Sequence, residues 1–153
     1  MTVRPITDQA EAYAAHRIVG ELLENKDYEP GKPAGGEPML QRLVQQFLCN
    51  PRYLMLGAYD DRGAVLGYIC GEVRPDIYDG QLCAFELFWA VPDIYKKSGV
   101  GLALLKEWEK TVKAMGAVKS FMGAGAFCQP EVLRAIYPKL GYTLYSESYY
   151  KLL

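Results

Sequence analysis

Residues 91–101, VPDIYKKSGVG, place Lys96, Lys97, Ser98, Gly99, Val100 and Gly101 directly behind a nearly unbroken apolar run, LCAFELFWAV. Where a buried strand feeds a helix through a glycine turn, the first helical amides lack carbonyl partners and carry the positive end of the helix dipole. Such a turn can hold an anion; glycines admit it close to the backbone, and lysines add charge. A plain helix start, with Ser98 as cap and Gly99 easing the turn, uses the same residues without a ligand. Glu86 is the one charge inside the apolar run. A carboxylate in such surroundings must be paired, or its pKa rises, and a raised pKa suits a general base.

Three phosphate-binding patterns can be set against the loop. The Walker pattern ends in Gly-Lys-Ser/Thr, which is absent. The dinucleotide pattern requires a small residue three places after its second glycine, where GVGLAL has Leu104; GAGAFC from Gly123 fails in the same way. The third pattern, Arg/Gln-x-x-Gly-x-Gly/Ala, fits KKSGVG with Lys96 in first place.

The elements that must position this loop follow from periodicity. TVRPI makes a short edge strand, because Pro5 is awkward inside a sheet. Asp8 with Glu11 resembles a capping box, and Ala12, Ala15, Ile18, Val19, Leu22 and Leu23 follow at helical spacing. After the loop NKDYEPGKPAGGEP, a second helix from about Pro38 carries Met39, Leu40, Leu43, Val44, Phe47 and Leu48 to Asn50-Pro51. RYLMLGAYD and AVLGYICGEV read as a hairpin through DRG, and RPDIYDGQ turns into LCAFELFWAV, a central strand expected to be buried on both faces. Leu105, Trp108, Val112 and Met115 mark the helix after the glycine loop, ending near Gly116. AVKSFMGAGAF reads as a strand, PEVLRAIYPKLGY as a short helix, and TLYSESYYKLL as a closing strand or strand pair. The order β-α-α-β-β-β-α-β-α-β predicts an α/β (α+β) domain with a mixed sheet, spanning 1–153 as one unit.

With these elements in place, the chain resembles the GNAT acetyltransferase superfamily. Its strand-loop-helix consensus, roughly Leu-x-Val-x-Pro-x-Tyr-Arg-x-x-Gly-x-Gly, is matched in register by Trp89, Val91, Tyr95, Lys96, Gly99 and Gly101, with Pro92 one place early. AIYPKLGY, with Tyr137, Leu140, Gly141 and Tyr142, is similar to the family's later Ala-x-x-Tyr-x-x-x-Gly-Phe motif. Two departures stand out: lysine replaces the usual arginine or glutamine, losing the planar fork, and no asparagine precedes the tyrosine helix, where Cys128, Gln129 and Pro130 stand.

The resemblance implies a mostly antiparallel sheet with helices on both faces and a splayed parallel strand pair. It implies an N-acetyltransferase using acetyl-CoA as co-substrate, its diphosphate on residues 96–101 and its pantetheine arm between the Trp89–Val91 strand and the strand ending at Gly125. A backbone N–H near Val91 would face the thioester oxygen, and transfer to the amine would be direct. Tyr137 matches the family's general acid; packing beneath the cofactor is an equal reading. Glu86 is the candidate base, yet it lies five residues before Val91 where the family's glutamates commonly sit four or six before, and one step changes the face. A structural carboxylate paired with a cation is the equal alternative, and Glu72 in CGEVRP is a weaker base candidate. Transfer of another acyl group, or a non-catalytic module binding coenzyme A or a protein on the same fold, is the competing function.

Composition narrows the partners. A formal net charge of −1 offers no support for nucleic acid. The N-terminus lacks a signal peptide's apolar core, and no apolar stretch is long enough to span a membrane, so a cytoplasmic location is expected. Four scattered cysteines (Cys49, Cys70, Cys83, Cys128) and the single His16 provide no metal-ligand spacing and read as reduced thiols and a surface or packing histidine. Among the tyrosines at 142, 145, 149 and 150, most read as sheet packing. The acceptor is a small-molecule or peptide amine of unread identity; a homodimer is compatible with the family.

Overall fold

The computed structural model describes residues 1–24, 36–124 and 130–146, and in helices α1 and α2 the side chains of 19–24 and 36–40 are outside that description. The chain divides into two compact units, Met1–Gly123 and Ala124–Leu153.

In the first unit, strands β1 (Thr2–Pro5), β2 (Tyr53–Tyr59), β3 (Val65–Pro75), β4 (Leu82–Ala90) and β5 (Lys119–Phe121) form one sheet in the order β1-β2-β3-β4-β5. The first four are antiparallel neighbours, and β4 runs parallel to β5. Pro5 sits on the edge strand, where its missing N–H disturbs no ladder. Asp60 closes the β2–β3 hairpin by accepting the amides of Arg62 and Ala64, and Gly63 takes the positive φ of 82° the turn requires. Helices lie on both faces, as expected. Helices α1 (Gln9–Glu24) and α2 (Gly36–Cys49) bury Ala12, Ala15, Ile18, Val44 and Phe47 against Met55, Tyr59, Tyr68, Cys70 and Ala90. Helix α3 (Val100–Ala114) buries Val100, Leu104, Leu105, Trp108 and Val112. Since Gly71 alternates with Cys70 along β3, its contact with the Trp108 indole places α3 on the opposite face.

Several expectations are refined. Asp8 does cap α1, accepting the amides of Ala10 and Glu11 at 2.8 and 3.1 Å. Glu11 does not reach back as in a full capping box; it binds Arg4 and accepts the Tyr59 hydroxyl at 3.0 Å. The strand expected over 117–127 is confined, among the described residues, to Lys119–Phe121, because α3 ends at Ala114, Gly116 (φ 94°) turns the chain after it, and residues 122–124 leave the ladder; 125–127 lie outside the described residues. In the second unit, α4 (Pro130–Ile136) runs into a 3-10 turn, Tyr137–Leu140, stopped by Gly141 at φ 87°. Residues 143–146 carry no strand, and the remainder of the expected closing strand, with Tyr149 and Tyr150, lies outside the described residues.

Close backbone approach explains Gly71. A Cβ there would stand 2.1 Å from the Phe85 carbonyl oxygen and 2.7 Å from Trp108. Gly71→Ala is therefore expected to destabilise the unit by about 3 kcal/mol, at the upper end of overpacking costs. Urea unfolding followed by Trp fluorescence would register this as a lower midpoint with an unchanged slope.

Candidate active site

The site begins where a ladder stops. Strand β4 pairs with β3 along its whole length but with β5 only at Cys83↔Lys119, Ala84↔Ser120 and Phe85↔Phe121. Beyond Phe85, β4 forms no further ladder pair with the described residues of β5. On the β3 side, Gly71 faces Glu86 while Cys70 faces Phe88, so Leu87 is an extra, bulged residue. Its insertion makes the five-residue offset between Glu86 and Val91 act as an even one, a register change with no signature in residue types. The bulge and the opening coincide.

Glu86 is only partly exposed, and its Oε2 accepts the Gly123 amide at 2.9 Å. Its hydrogen-bond partner is thus backbone of the diverging segment, in place of the lysine or arginine of the structural alternative. Burial raises its pKa to about 7, against the pull of the Gly123 N–H. Tyr68 and Cys70, buried on β3, lie within reach of that charge: burial is the main cause that raises both, and Glu86 adds to it. Of the two sequence readings of His16, surface or packing, the structure shows packing. Its Nδ1 lies 3.1 Å from the Tyr68 hydroxyl, its ring packs edge-on against Phe88 at 5.4 Å, and burial lowers its pKa. The available signal was its place four residues after Ala12, beside the apolar stripe. Glu72 is engaged elsewhere, holding Arg74 at 2.6 Å while that guanidinium covers the Phe85 ring.

Beyond the opening, Pro92 leads into a 3-10 turn, Asp93–Tyr95, and Gly99 sets the start of α3. Ser98 is not the cap. Its hydroxyl and its amide both donate to the Tyr95 carbonyl, at 2.6 and 3.1 Å, and Gly99 occupies the N-cap position at φ 84° with no side-chain cap. The left-handed turn is what swings the helix start away from the serine. The first helical bond runs from the Ala103 amide to the Gly99 carbonyl at 3.0 Å. The amides of Val100, Gly101 and Leu102 precede it and have no intrahelical acceptor. Val100 is buried and anchors the turn, while Lys97, Ser98 and Gly99 are exposed. A Cβ on Gly101 would lie 3.4 Å from the Trp89 indole and 3.8 Å from Val91, so β4 and the helix start touch here. Lys96 is ion-paired with Asp93 of its own turn.

The first unit thus brings together Glu86, Trp89, Val91 and residues 96–101. Tyr137 belongs to the second unit, where it opens the 3-10 turn. Its ring lies 5.4 Å from Tyr142, whose amide donates to the Tyr137 carbonyl at 3.0 Å. The expectation that Cys128 lines a channel falls outside the described residues. Among the described residues no cluster of metal ligands occurs, and no helix is long and apolar enough to cross a membrane.

Residues 20–142 match the family model described as the acetyltransferase (GNAT) family. No curated protein matches the sequence. Among solved structures, a mutant of the BH1408 protein from Bacillus halodurans superposes with a TM-score of 0.80 at 16% identity, over 100% of this chain and 99% of that one. An aminoglycoside acetyltransferase from an uncultured soil metagenomic sample gives 0.76 at 18% identity, over 99% and 97%. AAC(6')-Iy in complex with a bisubstrate analog, CoA-S-monomethyl-acetylneamine, gives 0.78 at 12% identity, over 99% and 97%. These identities speak for the fold alone, whereas the family model spans most of the chain. With the open strand edge and the uncapped helix start within its span, the chain belongs to the acetyltransferase (GNAT) family.

Proposed function

We propose that this protein is an acetyl-CoA-dependent N-acetyltransferase that passes the acetyl group directly to an amine. The observation that carries the reading is the loss of β4's partner at Glu86, a few residues before an uncapped, glycine-started helix. An extended pantetheine arm fits such an edge by adding to it as a strand does, and its diphosphate fits the amides of Val100, Gly101 and Leu102. The likeness of the fold to AAC(6')-Iy, solved with a bisubstrate analog of coenzyme A, supports this choice of donor. Lys96 would exchange Asp93 for phosphate. Exposed ion pairs contribute only about 0–1 kcal/mol, so little opposes the exchange.

In the reaction, Glu86 takes a proton from the acceptor's ammonium group, directly or through water. The freed amine attacks the thioester carbon, and a main-chain N–H near Val91 bears the oxyanion's charge. Collapse breaks the C–S bond, and the departing thiolate takes a proton, a part that the motif match gives to Tyr137. A phenol with a reference pKa of about 10 serves there because it is protonated at neutral pH yet acidic enough to donate. Glu86 suits its part because its pKa of about 7 lets it both accept and surrender a proton near neutrality. The likeness to an aminoglycoside acetyltransferase supports a small acceptor bearing several amines as the first class to assay.

Steady-state assays of thiol release test this reading. Glu86→Gln lowers kcat roughly 10²–10⁴-fold, the usual contribution of a general base. Activity of the unsubstituted enzyme falls as pH drops through about 7, because the carboxylate must be ionised to act, and the variant lacks that acid limb. Unchanged profiles in both proteins would leave Glu86 structural. Tyr137→Phe is expected to lower kcat about 10²-fold with little change in KM, and full turnover would remove the acid role. Gly99→Ala has open space around its new methyl, so its only cost is the positive φ, about 1–2 kcal/mol. Relief of that strain would move the loop and raise the KM for acetyl-CoA about tenfold; an unmoved KM would place the diphosphate elsewhere.

A further inference from the structure

We infer that Glu86 is also a latch across the donor channel. Its hydrogen bond to the Gly123 amide closes the parting of β4 and β5 in the free protein, and donor binding must break it, with uptake of a proton. The inference rests on the donor reading above and extends it to a coupling between donor binding and the charge of the site.

The geometry is local. Pairing between β4 and β5 ends at Phe85↔Phe121; Glu86 is the next residue on one strand, and Gly123 lies two residues on along the other. The carboxylate therefore supplies, from a side chain, the acceptor that the ladder no longer provides. The segment is also short of room. A Cβ on Gly123 would stand 3.2 Å from the same Oε2, so the oxygen lies directly against the backbone that a strand-like ligand would need to reach. An arm that pairs with this backbone competes with the carboxylate for the Gly123 N–H.

Displacement has an electrostatic consequence. The Gly123 N–H is the interaction that favours the ionised form, opposing burial. Removing it, and covering the carboxyl with the ligand, both favour the protonated form. The groups that surround Glu86 do not reverse this. Tyr68 and Cys70 on β3 are held protonated by burial, and His16 on α1, hydrogen-bonded to Tyr68, is lowered by burial and so is neutral. No cation among these neighbours holds Glu86 ionised. The amine acceptor, arriving as a cation, then favours the carboxylate again; the proton taken up with the donor leaves to solvent, and Glu86 is ready to take one from the ammonium group.

The test is isothermal titration of the whole protein with coenzyme A near pH 7.5, repeated in buffers of different ionisation enthalpy. The slope of binding enthalpy against buffer enthalpy counts protons exchanged. Glu86→Gln retains an oxygen that accepts the Gly123 amide and keeps the shape of the site, but it cannot titrate. Uptake of a sizeable fraction of a proton per coenzyme A in the unsubstituted protein, absent from the variant, supports the latch. The share contributed by the ligand's own phosphates cancels in that difference. Equal proton numbers in the two proteins overturn the latch while leaving the donor site standing; no binding to either overturns both. As a second readout, the Gly123 amide resonance of the free protein should titrate with Glu86 and lose that dependence when coenzyme A is bound. A resonance that keeps titrating contradicts the displacement.

Discussion

The structure turns on one strand that has a partner along only part of one edge. Backbone amides and carbonyls in a protein interior must be satisfied, and a central strand normally meets this through both neighbours. Strand β4 does so with β3 throughout and with β5 over three residue pairs, and from Glu86 onward it forms no further pair with β5 among the described residues. Everything around the site responds to this. The Leu87 bulge sits at the parting, Glu86 supplies an acceptor to Gly123, and β4 ends in the turn that starts α3. An open edge inside a molecule is a place for an extended ligand.

Holding a carboxyl at that edge has a thermodynamic consequence of definite sign. Glu86 binds its proton more tightly folded (about 7) than a free glutamate does, about 4.3–4.5. Between these values the folded state carries more protons than the unfolded one. The stabilisation that follows is fully present below the unfolded pKa and is lost as pH rises through the folded value. At working pH the ionised form is thus the less comfortable one for the fold and, in the proposed mechanism, the reactive one. That opposition is the usual mark of a group placed for function.

Much of this is legible in residue types, and the missing parts have physical reasons. The glycine loop and the Trp108 face of α3 each express a local preference that survives folding, whereas the apolar run ahead of the loop, expected to be buried on both faces, buries Cys83, Ala84 and Ala90 and leaves Leu82 and Leu87 exposed. Ser98 misleads because serine is a good cap in isolation, and here Gly99 takes the left-handed conformation that only glycine adopts cheaply. Glu11 likewise has the capping-box identity but finds Arg4 and Tyr59, residues brought near by the sheet. The bulge at Leu87 is invisible beforehand, since register depends on the strand opposite. His16 is ordinary in its own helix; only the folding of α1 onto β3 and β4 gives it Tyr68 and Phe88.

The central claim is that main-chain amides at the start of α3 receive the diphosphate of the acyl donor. Calorimetric titration with coenzyme A beside pantetheine, which carries the same arm without the diphosphate and the nucleoside attached to it, separates the phosphate-bearing end from the arm. The account predicts saturable binding of coenzyme A and affinity for pantetheine lower by at least about a hundredfold, because two charge-assisted contacts are worth on the order of 3 kcal/mol. Equal affinity for the two ligands, or no binding of coenzyme A at millimolar concentration, would contradict it.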